Sequence, residues 1–473
     1  MKSNYEVALM IAKHPAVVRL EANRRSAQFH LPHLPLSSVA RKNEKQVESI
    51  ASNLRWINVP RVWDLGIRGE GIVIATADTG VQWDHPALIN QYRGYNYTTG
   101  EADHNYNWWD AVHDADSTNY CGNDSKEPCD DNGHGTHTIG SAVGDDGGEH
   151  QVGAAPEAKW IGCRNMQRGT GSPSEYIECL QFLLAPTDSN GNNPQPSKRP
   201  HVIVNSYACP VSEGCEDVSV LRNAVDSVVS SGIFMSVASG NSGPACGSTN
   251  APPATYESSF TVGSSESHSD SVARFSSRGP VPDTFIVKPD IIAQGDNVMS
   301  CFPIDNYLSL SGTSMAAPQI AGVVALVSQA NSVLERNIEQ LRSVLESSAR
   351  EIPNSACDSP TDVPNNLYGY GMVDAYEAVQ VALQIPEPSG SRSASATPFV
   401  SASPIPSFVP PSPPPRELTL PNSPLTYTSD SHEASSATTD RQSSSNNSNN
   451  TSHTCRLHLS LAGALLASLI ALL

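Results

Sequence analysis

The sequence predicts an α/β protein in three layers: a mostly parallel central sheet flanked on both faces by helices. Two observations predict it. Short apolar runs recur from Gly71 onward, and segments with apolar residues at helical spacing alternate with them. A strand that is apolar at successive positions must be buried on both faces, as in a parallel sheet covered by helices. A third observation sets the limit of the fold, because this mixture of apolar runs with Gly and Asp stops near Pro386.

Six segments read as strands ending in small or polar residues. They are GIVIATADTG from Gly71, KWIGCRNM from Lys159, HVIVNSYA from His201, GIFMSVASGN from Gly232, SSFTVGSS from Ser258 and KPDIIAQG from Lys288. GTHTIGSAVG, SEYIECLQFLLAP, VSVLRNAVDSVVSSG, APQIAGVVALVSQAN and NIEQLRSVLESSA read as helices. In open parallel sheets the ligand site lies beyond the carboxyl ends of the strands. Those ends deliver Asp78 in TADTGV and Asn241 in SGNSG. Ser314 ends the loop YLSLSGTS before an Ala-rich helix, and His134 opens the helix within NGHGTHTIG.

Aspartate, histidine and serine in that order suit a hydrolytic triad. A serine hydroxyl is a weak nucleophile until a histidine takes its proton, and a carboxylate fixes the histidine's tautomer. At a helix N-terminus the Ser314 backbone N–H is unsatisfied and can donate to a developing oxyanion, with the Asn241 amide as second donor. Each residue alone has an ordinary reading: a turn former, a helix cap, a glycine turn. Their shared order on one sheet favours the triad. His134 and His137 also raise a zinc pair, but further ligands are missing and the HExxH helix uses another spacing and a glutamate.

DTGV, HGTHTIG, SGNSG and above all GTSMAAP resemble the signature blocks of the subtilisin-like serine proteases (peptidase S8). The resemblance runs from about Trp56 to Ala382. WDHPALINQYRGYN, NWWDAV, AKWIGCRNM and NNLYGYGMVDAYEAV are most like the bacillopeptidase F-like branch. It implies the subtilisin-like fold and a serine endopeptidase working through an acyl-enzyme on polypeptide substrates. By position, Asp78 is the orienting acid, His134 the general base, Ser314 the nucleophile and Asn241 the oxyanion donor. His137 is then a packing residue. Ser206, Tyr207 and Ala208 match a segment that pairs with the substrate backbone as an added strand. The resemblance implies no catalytic cofactor. Many relatives carry a calcium-binding aspartate nine residues after the catalytic one; here that position is Ala87, so a structural calcium has no support there. The loop GPACGSTNAPP after Asn241 implies a remodelled primary specificity pocket.

Outside this region, ALMIAKHPAVVRLEANRRSAQF resembles the last helix and strand of the family's inhibitory propeptide, an intramolecular inhibitor and folding aid. The expected organisation is a propeptide remnant at 1–35, a linker at 36–52, the catalytic domain at 53–385, a Ser/Thr/Pro/Asn-rich disordered stalk at 386–456 and an apolar tail at 457–473. Glu6 and Lys13 interrupt any signal-peptide core, so the expectation is a truncated start with a signal upstream. The alternative is an intrinsic N-terminal α/β extension.

The net charge of −19 argues against nucleic acid and anionic membrane surfaces as partners. Nine of the ten cysteines fall between Cys121 and Cys357. The spacings Cys121 to Cys129 and Cys209 to Cys215 suit loop-closing disulfides; free buried thiols are the alternative, and an odd number leaves at least one unpaired. Sequons at Asn96, Asn123, Asn446, Asn449 and Asn450 add weak support for secretion as a glycoprotein. The uncharged last seventeen residues follow a ten-residue spacer, Asn447 to Arg456, and small residues around Ser444, the pattern of a GPI attachment signal. A short tail-anchored helix is the alternative. The expected protein is a monomer tethered to the outer cell surface by its tail. An inactive binding module on a stalk, and acyl transfer at the same site, are the competing functions.

Overall fold

The computed structural model describes residues 49–386 and, as backbone strands only, residues 2–3, 17–23 and 455–461. Most of the expected linker and stalk, the Ser444 attachment point and most of the propeptide remnant and tail lie outside the described residues. Cys455–Leu461 pairs antiparallel with Val17–Asn23 and, at its start, with Lys2–Ser3. Among the described residues no helix is long and apolar enough to cross a membrane.

The central sheet has seven strands, all parallel. They are β1 (Val73–Asp78), β2 (Trp108–Asp110), β3 (Lys159–Arg164), β4 (Val202–Asn205), β5 (Phe234–Ala238), β6 (Phe260–Ser265) and β7 (Ile291–Gln294), in the order β7-β6-β5-β4-β1-β3-β2. All six sequence-predicted strands are present. The edge strand β2 was not predicted: its three residues are too few to show a period, and its pairing with Gly162 to Arg164 defines it.

Alternation along these strands feeds two cores. Ile74, Val202, Val204 and Phe234 face one cluster, with helices α1 (His134–Val143), α4 (Thr313–Ala330), α5 (Ile338–Ser347) and α6 (Ala375–Gln384). Ala75, Ala77, Ile203 and Met235 face the other, with α2 (Pro173–Leu184) and α3 (Arg222–Ser230). Burial on both faces is the reason the strands read as continuous apolar runs. α4 is buried from Thr313 to Ser328, so its sequence is apolar all round rather than on one stripe. Ser236 Oγ donates to Ala317 O at 2.8 Å and so fixes α4 to β5. The hairpin β8 (Val298–Phe302) and β9 (Asn306–Leu310) leads from β7 back to α4.

Among the described residues four disulfides join Cys121–Cys129, Cys163–Cys179, Cys209–Cys215 and Cys246–Cys357, and Cys301 is a buried free thiol. The two loop closures expected from spacing are both formed. The other two pairs depend on topology: Cys163 on β3 meets Cys179 on α2, and Cys246 meets a residue 111 positions away.

Candidate active site

The site lies at the carboxyl ends of β1, β4 and β5. Asp78 is the last residue of β1 and is fully buried. Its Oδ1 accepts from the Thr79 N–H and faces His134 Nδ1, both at 2.7 Å, and Thr138 Oγ donates to Oδ2 at 3.4 Å. A carboxylate so placed makes Nδ1 the donor and leaves Nε2 of the neutral ring as an acceptor. Among the described residues Nε2 has no hydrogen-bond partner. Burial, the largest influence, opposes protonation of His134, but the charge and hydrogen bond of Asp78, with the charge of Asp130, outweigh it and raise the pKa.

The chain reaches this geometry through two glycines and one buried aspartate. Gly133 precedes α1 with φ 93°, and a Cβ there would lie 2.5 Å from the Phe302 ring. A Cβ on Gly135 would lie 2.0 Å from Gly80 O, so only glycine lets α1 approach the end of β1 this closely. Asp130 organises the turn between them. One carboxylate oxygen accepts from Thr79 Oγ, Asn132 N and Gly133 N at 2.8 to 3.0 Å; the other accepts from Thr136 N at 2.9 Å and Thr136 Oγ at 2.6 Å. Thr79 Oγ in turn accepts from Gly135 N at 3.0 Å. Sequence reasoning passed over Asp130; its signal was an aspartate shortly before a glycine-rich helix start, where unsatisfied N–H groups need an acceptor.

Ser314 is the second residue of α4 and is 8 % exposed. Its hydroxyl donates to Ser206 O at 3.0 Å rather than to His134, and Ser206 Oγ returns a bond to Ser314 O at 2.9 Å. The backbone N–H of Ser314 has no partner among the described residues. Asn241 lies three residues beyond β5 and is exposed. Its Oδ1 accepts from Thr313 N at 2.9 Å and Thr313 Oγ at 3.0 Å, while its amide hydrogens have no partner among the described residues. The carboxamide is therefore oriented by the residue before Ser314, with its donors unspent.

The other singled-out residues have distinct environments. Ser206 and Tyr207 are buried and Ala208 is partly exposed, directly beyond β4. The Tyr207 ring stacks on Tyr176, with centroids 4.3 Å apart and planes 7° from parallel. His137, one turn after His134, is fully buried, and its Nε2 donates to Val298 O at 3.1 Å and Leu308 O at 2.9 Å. Burial first, then the charge of His134, lowers its pKa to about 3, so it is a neutral clasp between α1 and the β8–β9 hairpin. Ala87 is fully buried in the apolar core. Among the described residues no group of three or more His, Cys, Asp or Glu side chains is placed to hold a metal ion.

Comparison with known proteins agrees with this architecture. The model of the subtilase family matches residues 69–371. The chain is 35% identical to bacillopeptidase F of Bacillus subtilis over 380 residues, covering 79% of this chain and 25% of that protein. It is 31% identical to serine protease AprX of Bacillus subtilis over 337 residues, covering 66% of this chain and 67% of that protein. With subtilisin Savinase of Lederbergia lenta the identity is 30% over 335 residues, covering 70% of this chain and 100% of that protein. The chain thus spans about a quarter of the length of bacillopeptidase F. A match over well more than half of the sequence, on the parallel sheet just described, establishes that this chain belongs to the subtilase family.

Proposed function

We propose that the chain is a serine endopeptidase that hydrolyses peptide bonds through an acyl-enzyme. The observation that carries this reading is the 2.7 Å bond from His134 Nδ1 to buried Asp78, with Nε2 unpartnered among the described residues. Ser314 Oγ attacks the scissile carbonyl carbon and passes its proton to His134 Nε2. Asp78 stabilises the resulting imidazolium without taking the proton. The carbonyl oxygen becomes an oxyanion held by the Ser314 N–H and an Asn241 amide hydrogen. His134 then protonates the departing amine; water, deprotonated by the same imidazole, attacks the acyl carbon, and the acyl–Oγ bond breaks as His134 returns the proton to Ser314 Oγ. In the free enzyme the Ser314 hydroxyl is donated to Ser206 O, so a rotation about its Cα–Cβ bond precedes attack; such bonds often align only once substrate is bound. The substrate lies along Ser206, Tyr207 and Ala208 as an added strand.

The same reading extends to the setting of the enzyme. It is made with an inhibitory propeptide, of which residues 1–35 are the end, and the catalytic domain runs from 53 to 385. It is secreted, which the four disulfides support, since such bridges persist in oxidising compartments. It acts as a monomer on the cell surface, held by a lipid anchor at the stalk's end. Release of the activity from cells by a phosphatidylinositol-specific phospholipase tests the anchor, and retention while control anchors are released counts against it.

Cleavage-site profiling of the full-length secreted form on a peptide library tests the activity itself. Cleavage that disappears in Ser314→Ala is the expected result. Retention of peptides without any cleavage would favour an inactive binding module instead.

A further inference from the structure

Glu213 is a buried carboxylate outside the triad, 6 % exposed, in the seven-residue loop closed by Cys209 and Cys215. Tyr176 on α2 donates its hydroxyl to Glu213 Oε2 at 2.5 Å, and the Gly171 N–H donates to the same carboxylate. The Tyr176 ring is the one that stacks on Tyr207. Tyr207 is followed by Ala208 and preceded by Ser206, whose carbonyl receives the Ser314 hydroxyl. A continuous run of contacts therefore joins a buried carboxylate to the segment beside the nucleophile.

This segment needs support from outside the sheet, because the pairing of β4 with its neighbour β5 ends at Asn205. Beyond that residue the backbone is held by the Ser206–Ser314 bonds, by the Tyr207 stack and by the bond from Cys209 N to Pro252 O at 2.8 Å. A phenylalanine at 176 over an apolar residue at 213 would fill the same space with no charge to desolvate. Instead a carboxylate is kept there. Burial is the strongest influence on it, and the charge of neighbouring Glu175 adds to it. Together they outweigh the Tyr176 and Gly171 hydrogen bonds and push its pKa up to about 7. The folded state therefore binds this proton more tightly than the unfolded chain, and stability falls as pH rises through that interval.

We propose that Glu213 is a positioning residue: through Tyr176 it fixes the Tyr207 ring, and with it the Ser206–Ala208 backbone against which an extended substrate lies. The proposal rests on the reading of that segment as the substrate's partner strand. Its effect is confined to ligands long enough to lie along the segment. A small phosphonylating reagent engages Ser314, His134 and the oxyanion donors but has no chain to pair along Tyr207 and Ala208, so it responds little to their placement.

Glu213→Gln keeps the volume but turns an NH2 group toward one of two donors, and Tyr176→Phe removes one donor while keeping the stacked ring. Each is made in the full chain, with the double variant. The readouts are the labelling rate with a small fluorophosphonate lacking a peptide portion, and KM and kcat on fluorescein-labelled denatured casein. Each single variant is expected to raise KM about three- to tenfold, with kcat and labelling rate within about twofold of wild type. The double variant is expected to be no worse than either single one, because both break the same link. Unchanged KM, additive effects, or a labelling rate that falls along with affinity would each overturn the proposal. If Glu213→Gln does not fold, Tyr176→Phe carries the test. If the wild type is neither labelled nor able to cleave casein, the proteolytic reading fails separately. Glu213 is then judged by binding of the same casein to the Ser314→Ala protein, followed by fluorescence anisotropy. Several-fold weaker binding on adding Glu213→Gln upholds the proposal, and equal binding, or none to either protein, overturns it.

Discussion

His113 and His134 each face a carboxylate through the same ring atom, Nδ1, at 2.5 Å from Asp124 and 2.7 Å from Asp78. They differ at the other nitrogen. His113 Nε2 lies 2.9 Å from both oxygens of Glu178, which also accepts from Trp109 Nε1 at 2.8 Å. The Glu178 hydrogen bond dominates, working against burial and joined by the Glu178 charge and by Asp124, and holds the His113 pKa up to about 9. That ring is an imidazolium at neutral pH with both nitrogens donating, a clamp between the loop after β2 and α2. His134 has one carboxylate, deeper burial and an unpartnered Nε2. On the proposed mechanism, what would distinguish a proton carrier from a clamp is not the presence of a carboxylate but how many ring nitrogens are already engaged.

The largest expected effect separates the two rings directly. His134→Ala should cost on the order of a millionfold in kcat, the scale known for this position in subtilisin, while His113→Ala should leave kcat within about twofold. Steady-state kinetics on one casein-derived peptide checks both, and comparable losses would erase the distinction. Next come the carboxylates. Asp78→Asn should lower kcat about 10⁴-fold by favouring the wrong tautomer, whereas Asp124→Asn should not. In the wild type, kcat/KM should fall on the acid side with a midpoint above 6.5, because protonation of His134 is favoured by Asp78. Asn241→Leu should reduce kcat about a hundred- to thousandfold with KM little changed, since the donor acts on the oxyanion. Unaltered turnover would remove Asn241 from the site.

The smallest effect is on stability. The folded-state pKa of His113 is raised to about 9, so its contribution is fully present below the ordinary value of 6.5 and is lost as pH rises through 9. Thermal melts of His113→Gln against wild type should show a deficit at pH 6 that vanishes near pH 10. A deficit that persists at pH 10 would mean the ring matters by packing rather than charge.

Much of this was legible before the structure, for physical reasons. Strands buried on both faces leave unbroken apolar runs, so β1 and β3 to β7 could be read directly, and the order of the strand ends brought Asp78, Asn241 and Ser314 into view. What escaped was long-range or short in extent. β2 is defined by pairing rather than pattern. Asp130 acts through N–H groups that converge only after Thr79 and α1 meet. The Cys246–Cys357 bridge spans 111 positions, a distance that carries no local signal. The Ser314–Ser206 bond and the Glu213–Tyr176–Tyr207 stack belong to the same class, because each joins elements that are remote in the chain.

Fluorophosphonate labelling followed by peptide mapping tests the central claim, that one serine is activated by one histidine. The account predicts a single adduct on the peptide containing Ser314, absent from Ser314→Ala, and labelling slowed by several orders of magnitude in His134→Ala but unchanged in His113→Ala. An adduct on another residue, or labelling that survives the loss of Ser314, would contradict it.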